Sequence, residues 1–164
     1  MTWTYTLDDA EAHLIEVISA LRYASNLGRP NAYGLKGDGR DEGALGTGGE
    51  YAASRLLNVS WEALSANPWA PGHVDIGLPV QRLQVRTTSN MSIPLHDKDN
   101  PDHYYLAVTR EDPFHYTLHG WVLGRDGQRS GYWAENIPRP CFMVPLRRLT
   151  PINDALPPTL APLR

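Results

Sequence analysis

The chain holds one cysteine, Cys141. A single thiol excludes an internal disulfide framework and a cysteine-rich zinc site, and it fits a reducing compartment. No apolar run comes near the roughly 18 residues that a membrane span needs. The opening residues, MTWTYTLDDAEAH, carry acids and lack a positively charged stretch ahead of an apolar one, so they do not read as a secretion signal. These absences lead to the expectation of a soluble, cytoplasmic protein with no membrane partner. An excess of positive charge is also missing: the formal net charge is −3 at pH 7. That weighs against a chain basic throughout, yet leaves room for a local basic face beside a cluster of acids. Arg82, Arg86, Arg125, Arg129, Arg147 and Arg148 all lie in the C-terminal half, whereas much of the acid lies in the first.

What is present is ordinary globular material, 41% apolar and 20% charged over 164 residues. That length suits one domain with a real core. Fourteen Gly and fourteen Pro point to long, partly rigid loops. A single domain is expected over 1–150, with an N-terminal helix and Gly-rich loop in 1–46, a core in 47–150 and a loose, Pro-rich tail in 151–164.

Apolar spacing predicts a helix over 7–26, with Ala10, Leu14, Val17, Ile18 and Leu21 on one face. Thr6 is the expected cap, with Asp9 completing a weak capping box. Residues 28–46 read as a loop, and a second helix is expected from about Gly48 to Asn58, with SWEALSA at 60–66 adding a helical turn. The period then changes to two. His73–Leu78 and Leu83–Thr88 both alternate, and the link Pro79–Arg82 suits a hairpin. After a polar loop over 89–102, strands are expected at His103–Arg110, Phe114–Leu123 and Cys141–Pro145, with turns at 111–113 and 124–127 and a helical turn at 146–149. The resulting class is α+β, with N-terminal helices packed on a mostly antiparallel sheet.

Candidate chemistry concentrates at Glu50, Asp75, Gln84 and Arg86. Gln84 and Arg86 are two apart on one strand and so share a face. In an antiparallel hairpin Asp75 falls opposite Val85 or Arg86, and Glu50 on the preceding helix could complete the patch. Carboxylates and an amide oxygen suit Mg²⁺ or Mn²⁺, because such hard cations take oxygen ligands and often only one or two carboxylates. Each residue also has a structural reading. Thr47-Gly-Gly-Glu50 matches a capping box, and Asp75 could simply pair with Arg86 as a surface ion pair worth roughly 0–1 kcal/mol.

Glu50 in a helix, Asp75 at a strand and Gln84-Val85-Arg86 in the next strand resemble the PD-(D/E)xK nuclease superfamily. The segments GTGGEYAASRLL, HVDIGLPVQRLQVRTT, YYLAVT and LHGWVLG are similar to small phage and bacterial members, and the likeness covers roughly residues 45–150. The resemblance implies a restriction-endonuclease-like core and metal-dependent cleavage of DNA. Asp75, Gln84 and Glu50 would be the metal residues, and Arg86 would stand where the family has lysine. Arginine stays protonated in proteins, though its planar fork can hold a phosphate. A catalytically silent relative that binds nucleic acid or a protein partner is therefore the alternative, and an unrelated α+β interaction protein is a third. A homodimer is left open.

Other signals carry less. Gly43 and Gly48 have P-loop spacing, but Gly49-Glu50 stands where Lys and Ser or Thr are needed. The acidic run from Asp97 lacks the Gly and Glu of an EF-hand at the sixth and twelfth positions and reads as a polar loop, with a substrate-facing loop as the alternative because it follows the strand bearing Arg86. His115 and His119 lie too far apart on their strand to share a metal without a third ligand. Tyr104, Tyr116 and Trp121 read as core or cross-strand aromatics.

Overall fold

The computed structural model describes residues 3–26, 40–62 and 73–160. The chain opens with a short strand, β1 (Trp3–Thr6), followed by α1 (Asp9–Asn26) and α2 (Arg40–Leu57). Strands β2 (Leu83–Thr88), β3 (Ser92–Leu95), β4 (Tyr104–Arg110) and β5 (His115–Leu123) come next. A one-turn helix α3 (Gly124–Gly127) precedes β6 (Trp133–Ala134), β7 (Cys141–Pro145) and β8 (Thr150–Pro151). The class is α+β, as expected.

Two sheets form. In the first the order is β1-β5-β4-β2, with β8 also pairing with β5; in the second it is β3-β7-β6. Most pairs are antiparallel, but β2 and β4 run parallel, Leu83 opposite Tyr104. A parallel pair needs a long crossover. Residues 89–103 provide it, and the segment expected to be a polar loop contributes β3 to the second sheet on the way.

Alternation along β2, β4 and β5 separates two cores. Leu83, Val85, Leu106, Val108, Tyr116 and Leu118 pack against Ile15 of α1 and Ala52 and Ala53 of α2. Tyr105, Ala107 and Val122 pack against Ile93, Leu95 and Val144 of the second sheet. The layers are therefore helices, first sheet, second sheet. Gln84 and Arg86 have the parity of the second-sheet face.

Several local expectations shift. The first helix begins at Asp9, capped by Asp8: the Glu11 N–H donates to Asp8 Oδ1 at 2.8 Å and the Asp8 N–H to Glu11 Oε2 at 3.1 Å. This is a capping box displaced from the Thr6–Asp9 expectation. Its buried face is Ile15, Ile18 and Ser19, while Leu14, Val17 and Leu21 are exposed. Both stripes have helical spacing, and the buried one turns Arg22 toward α2. The second helix starts at Arg40 rather than Gly48, so Thr47 is a buried position inside the helix and not its cap. The expected loop over 28–46 is helical from 40 onward, and its earlier part lies outside the described residues, as do residues 63–66 of the expected turn. Asn58 ends α2 with a left-handed φ of 53°. The strand expected at 73–78 reduces to bridges of Ile76 with Trp61 and Leu83. The tail is packed rather than loose as far as it is described: β8 joins the first sheet, Ile152 is buried and Leu160 lies against the helix-side core.

Gly48 and Gly49 set how close α2 lies to the first sheet. A Cβ on Gly48 would overlap the Tyr116 ring, and one on Gly49 would overlap the Thr87 side chain. Gly49→Ala should thus destabilise the protein by about 1–3 kcal/mol through overpacking. At an open helix position the same change would stabilise. Chemical denaturation measures the sign, and a stabilised Gly49→Ala protein would show that the close approach is wrong.

Candidate functional site

Glu50 sits beside Gly49, where α2 lies closest to the sheet. Its Oε2 receives Arg22 Nη2 from α1 at 2.8 Å and Trp61 Nε1 at 3.4 Å. Arg22 also donates to the Glu62 carbonyl at 3.2 Å. One arginine thus ties α1 both to the helix bearing Glu50 and to the segment after it. The capping explanation of Glu50 falls with the earlier helix start. What remains is a largely buried carboxylate, 14% exposed, with its charge held by Arg22.

Asp75 reaches the same place from the sheet edge. Its N–H donates to the Leu83 carbonyl at 3.0 Å, as in an antiparallel pair. Two residues on, its own Oδ2 accepts the Val85 N–H at 2.7 Å. The carboxylate therefore takes the place of a neighbouring strand and satisfies an edge donor of β2. This puts Asp75 beside the sheet edge, close enough to Glu50 on one side and Arg86 on the other for charge to matter. His73 Nε2 lies 4.0 Å from Asp75 Oδ1.

Gln84 and Arg86 keep company different from that expected. The Gln84 amide nitrogen donates to the His73 carbonyl at 2.8 Å, which leaves the amide oxygen as the end able to approach a cation. Arg86 bonds Asp99, not Asp75: its Nη2 lies 3.0 Å from each Asp99 carboxylate oxygen. The guanidinium also stands over the Tyr105 ring, 5.0 Å from its centre, a favourable placement for a cation. Asp99 is held in turn, accepting the His96 N–H at 2.9 Å. Gln128 donates to the carbonyls of His96 and Asp99, each at 2.8 Å. The expected Asp75–Arg86 ion pair is thus replaced by Asp99–Arg86. Sequence reasoning gave Asp99 no role of its own, within a run read as a polar or substrate-facing loop, and missed Arg22, which lay on a helix read only for its apolar stripe.

The electrostatics follow from burial. Glu50 is pushed up to about 7, chiefly by burial and then by the Asp75 charge, against the opposing pull of Arg22. Burial also raises Asp75, although the Val85 N–H and Arg86 hold it back. Burial alone would lower Arg86, and the Asp99 and Asp75 carboxylates outweigh it to hold the guanidinium above its ordinary value. Fully ionised, Glu50, Asp75 and Asp99 place three negative charges beside the guanidiniums of Arg22 and Arg86, with Arg82 and Arg139 within electrostatic reach of the same region. A proton on Glu50, or a bound cation, relieves the repulsion between Glu50 and Asp75.

Two carboxylates and an amide oxygen fit a hard divalent cation that keeps part of its water shell. Among the described residues no group of three or more His, Cys, Asp or Glu is arranged to hold a metal, so an all-protein cage is not the form such a site would take. His115 pairs with Asp112 at 2.7 Å, and His119 bonds Thr109 at 2.7 Å. Each histidine has its own partner. No helix among the described residues is long and apolar enough to cross a membrane. Neither family models, curated proteins nor solved structures yield a match to this chain.

The Glu50 environment fixes a pH dependence. A carboxyl raised from 4.5 to about 7 on folding gives stability that is complete below the unfolded value and is lost as pH rises through 7. The loss is on the order of 2–3 kcal/mol. Glu50→Gln should flatten the fall in thermal midpoint between pH 5 and pH 8, whatever its effect at one pH. An unchanged slope would mean that Glu50 is not raised.

Proposed function

We propose that the protein is a metal-dependent phosphodiester-hydrolysing protein of DNA-endonuclease type. The observation that carries this reading is that Glu50 and Asp75, from separate elements, are both largely buried and near enough for the Asp75 charge to raise Glu50. Burying like charges together is costly unless a proton or a cation intervenes. The resemblance of Glu50, Asp75, Gln84 and Arg86 to the PD-(D/E)xK pattern supports the same reading.

Glu50 and Asp75 would hold Mg²⁺ or Mn²⁺, with the Gln84 oxygen supporting them. A divalent cation there would supply Lewis-acid polarisation of the phosphate. Arg22 favours the ionised form of Glu50 and turns it inward. Arg86, fixed by Asp99 and Tyr105, would place positive charge against the phosphate as negative charge grows on its oxygens. Because arginine keeps its proton, Arg86 acts on charge and not as a base.

The arrangement of Arg86 also favours a second reading. Its Nη2 is committed to Asp99, as suits a closed site in a protein that binds DNA or a protein partner without cutting. Nicking of supercoiled plasmid separates the two. The first reading expects metal-dependent nicking by the folded wild type and a loss of 100-fold or more in Asp75→Asn, on the order expected when a metal-holding or charge-stabilising group is removed. Intact plasmid across Mg²⁺, Mn²⁺ and several salt concentrations, with Arg86→Lys equally inert and DNA still bound, would favour the second.

A further inference from the structure

A cavity of about 330 Å³ opens at one end of the first sheet, lined by Val80, Arg82, Asp102, Tyr104, Leu123 and Arg125. Val80, Tyr104 and Leu123 give it an apolar side, and two guanidiniums give it a charged one. Arg125 is paired with Asp102, which leaves Arg82 as the net positive charge of the lining. Arg82 is exposed and adopts φ 52° and ψ 44°. This left-handed position closes the single helical turn Pro79–Gln81, where Gly or Asn fits with least strain. The local backbone therefore does not call for arginine, and the core gains nothing from an exposed side chain.

The cavity adjoins the acids. Arg82 immediately precedes Leu83, whose carbonyl accepts the Asp75 N–H, and the Arg82 carbonyl accepts the Tyr104 N–H at 2.9 Å. Gln84, two residues on, carries its side chain to the His73 carbonyl. Charge at Arg82 thus lies one strand residue from the backbone that holds Asp75.

We propose that this cavity is a subsite for one nucleotide of single-stranded DNA flanking the Glu50–Asp75 site, an inference that rests on the nucleic-acid reading above. Arg82 binds the backbone phosphate, while Tyr104, Leu123 and Val80 meet the sugar and base. The volume suits a small ligand at the low end of the usual range of roughly 300–1,000 Å³. A base paired within a duplex cannot enter it, whereas a splayed one can. Arginine beside an aromatic ring is the chemistry by which single strands are held.

Arg82→Gly tests this without endangering the fold, since glycine relieves the left-handed backbone. Fluorescence anisotropy of a labelled single-stranded oligonucleotide, with no added metal, is measured against salt beside a duplex of the same sequence. The variant should keep or raise its thermal midpoint and lose roughly tenfold in single-strand affinity at low salt. Its salt slope should fall by about 0.7, with duplex binding unchanged. Wild-type single-strand binding by the variant, equal losses on both substrates, or no single-strand binding by the wild type would each overturn the subsite. Plasmid nicking by the wild type combined with unaltered binding by Arg82→Gly would remove the subsite and leave the hydrolytic reading intact. The expected binding loss in a protein that never nicks would keep the subsite and remove catalysis.

Discussion

The largely buried meeting of Glu50 and Asp75 is the constraint on which the rest of this structure turns. Two like charges do not share a low-dielectric site without compensation. The chain supplies much of it: Arg22 from α1 at 2.8 Å from Glu50, the Val85 N–H on Asp75, and Arg86 close by. Arg86 brings a further acid, Asp99, which engages much of its charge. Two buried carboxylates that feel each other's charge favour uptake of a proton or a cation, and that property links the electrostatics to the proposed chemistry.

The scaffold is arranged around this meeting. Gly48 and Gly49 bring α2 down onto Tyr116 and Thr87, which sets the height at which Glu50 enters. The capping box at Asp8 and Glu11 and the two tyrosine hydroxyls on Glu11, from Tyr5 and Tyr51 at 2.6 Å each, fix α1 against α2 and so aim Arg22. The parallel pairing of β2 and β4 requires a crossover, and the crossover carries Asp99 beneath Arg86. Helix side and second-sheet side thus each send one cation to the acids at the sheet edge.

Much of the fold could be read from the sequence. The β4–β5 hairpin, β7 and the α+β class follow from alternation and turn residues, which are local signals. The phase of α1 did not follow, because Leu14, Val17 and Leu21 offer a stripe as apolar as Ile15 and Ile18, and only packing against α2 and the first sheet chooses between them. The start of α2 was hidden by Gly43 and Gly46, read as loop on propensity although both lie inside the helix. Of the four candidate site residues, Glu50 and Asp75 lie near enough for the charge of one to act on the other. Gln84 and Arg86 lie alongside with partners, His73 and Asp99, that no short-range pattern announces. Ion-pair partners across a crossover depend on the parallel register of β2 and β4, and register is a tertiary fact.

The most direct test of the central claim is a calorimetric titration of Mn²⁺ into the wild type and Asp75→Asn at pH 8, where Glu50 is largely ionised. The expected result is saturable binding at one site in the wild type and its loss in the variant, with both proteins folded by circular dichroism. Equal binding in the two proteins, or no saturable binding in the wild type, would contradict the claim that Glu50 and Asp75 form a cation site.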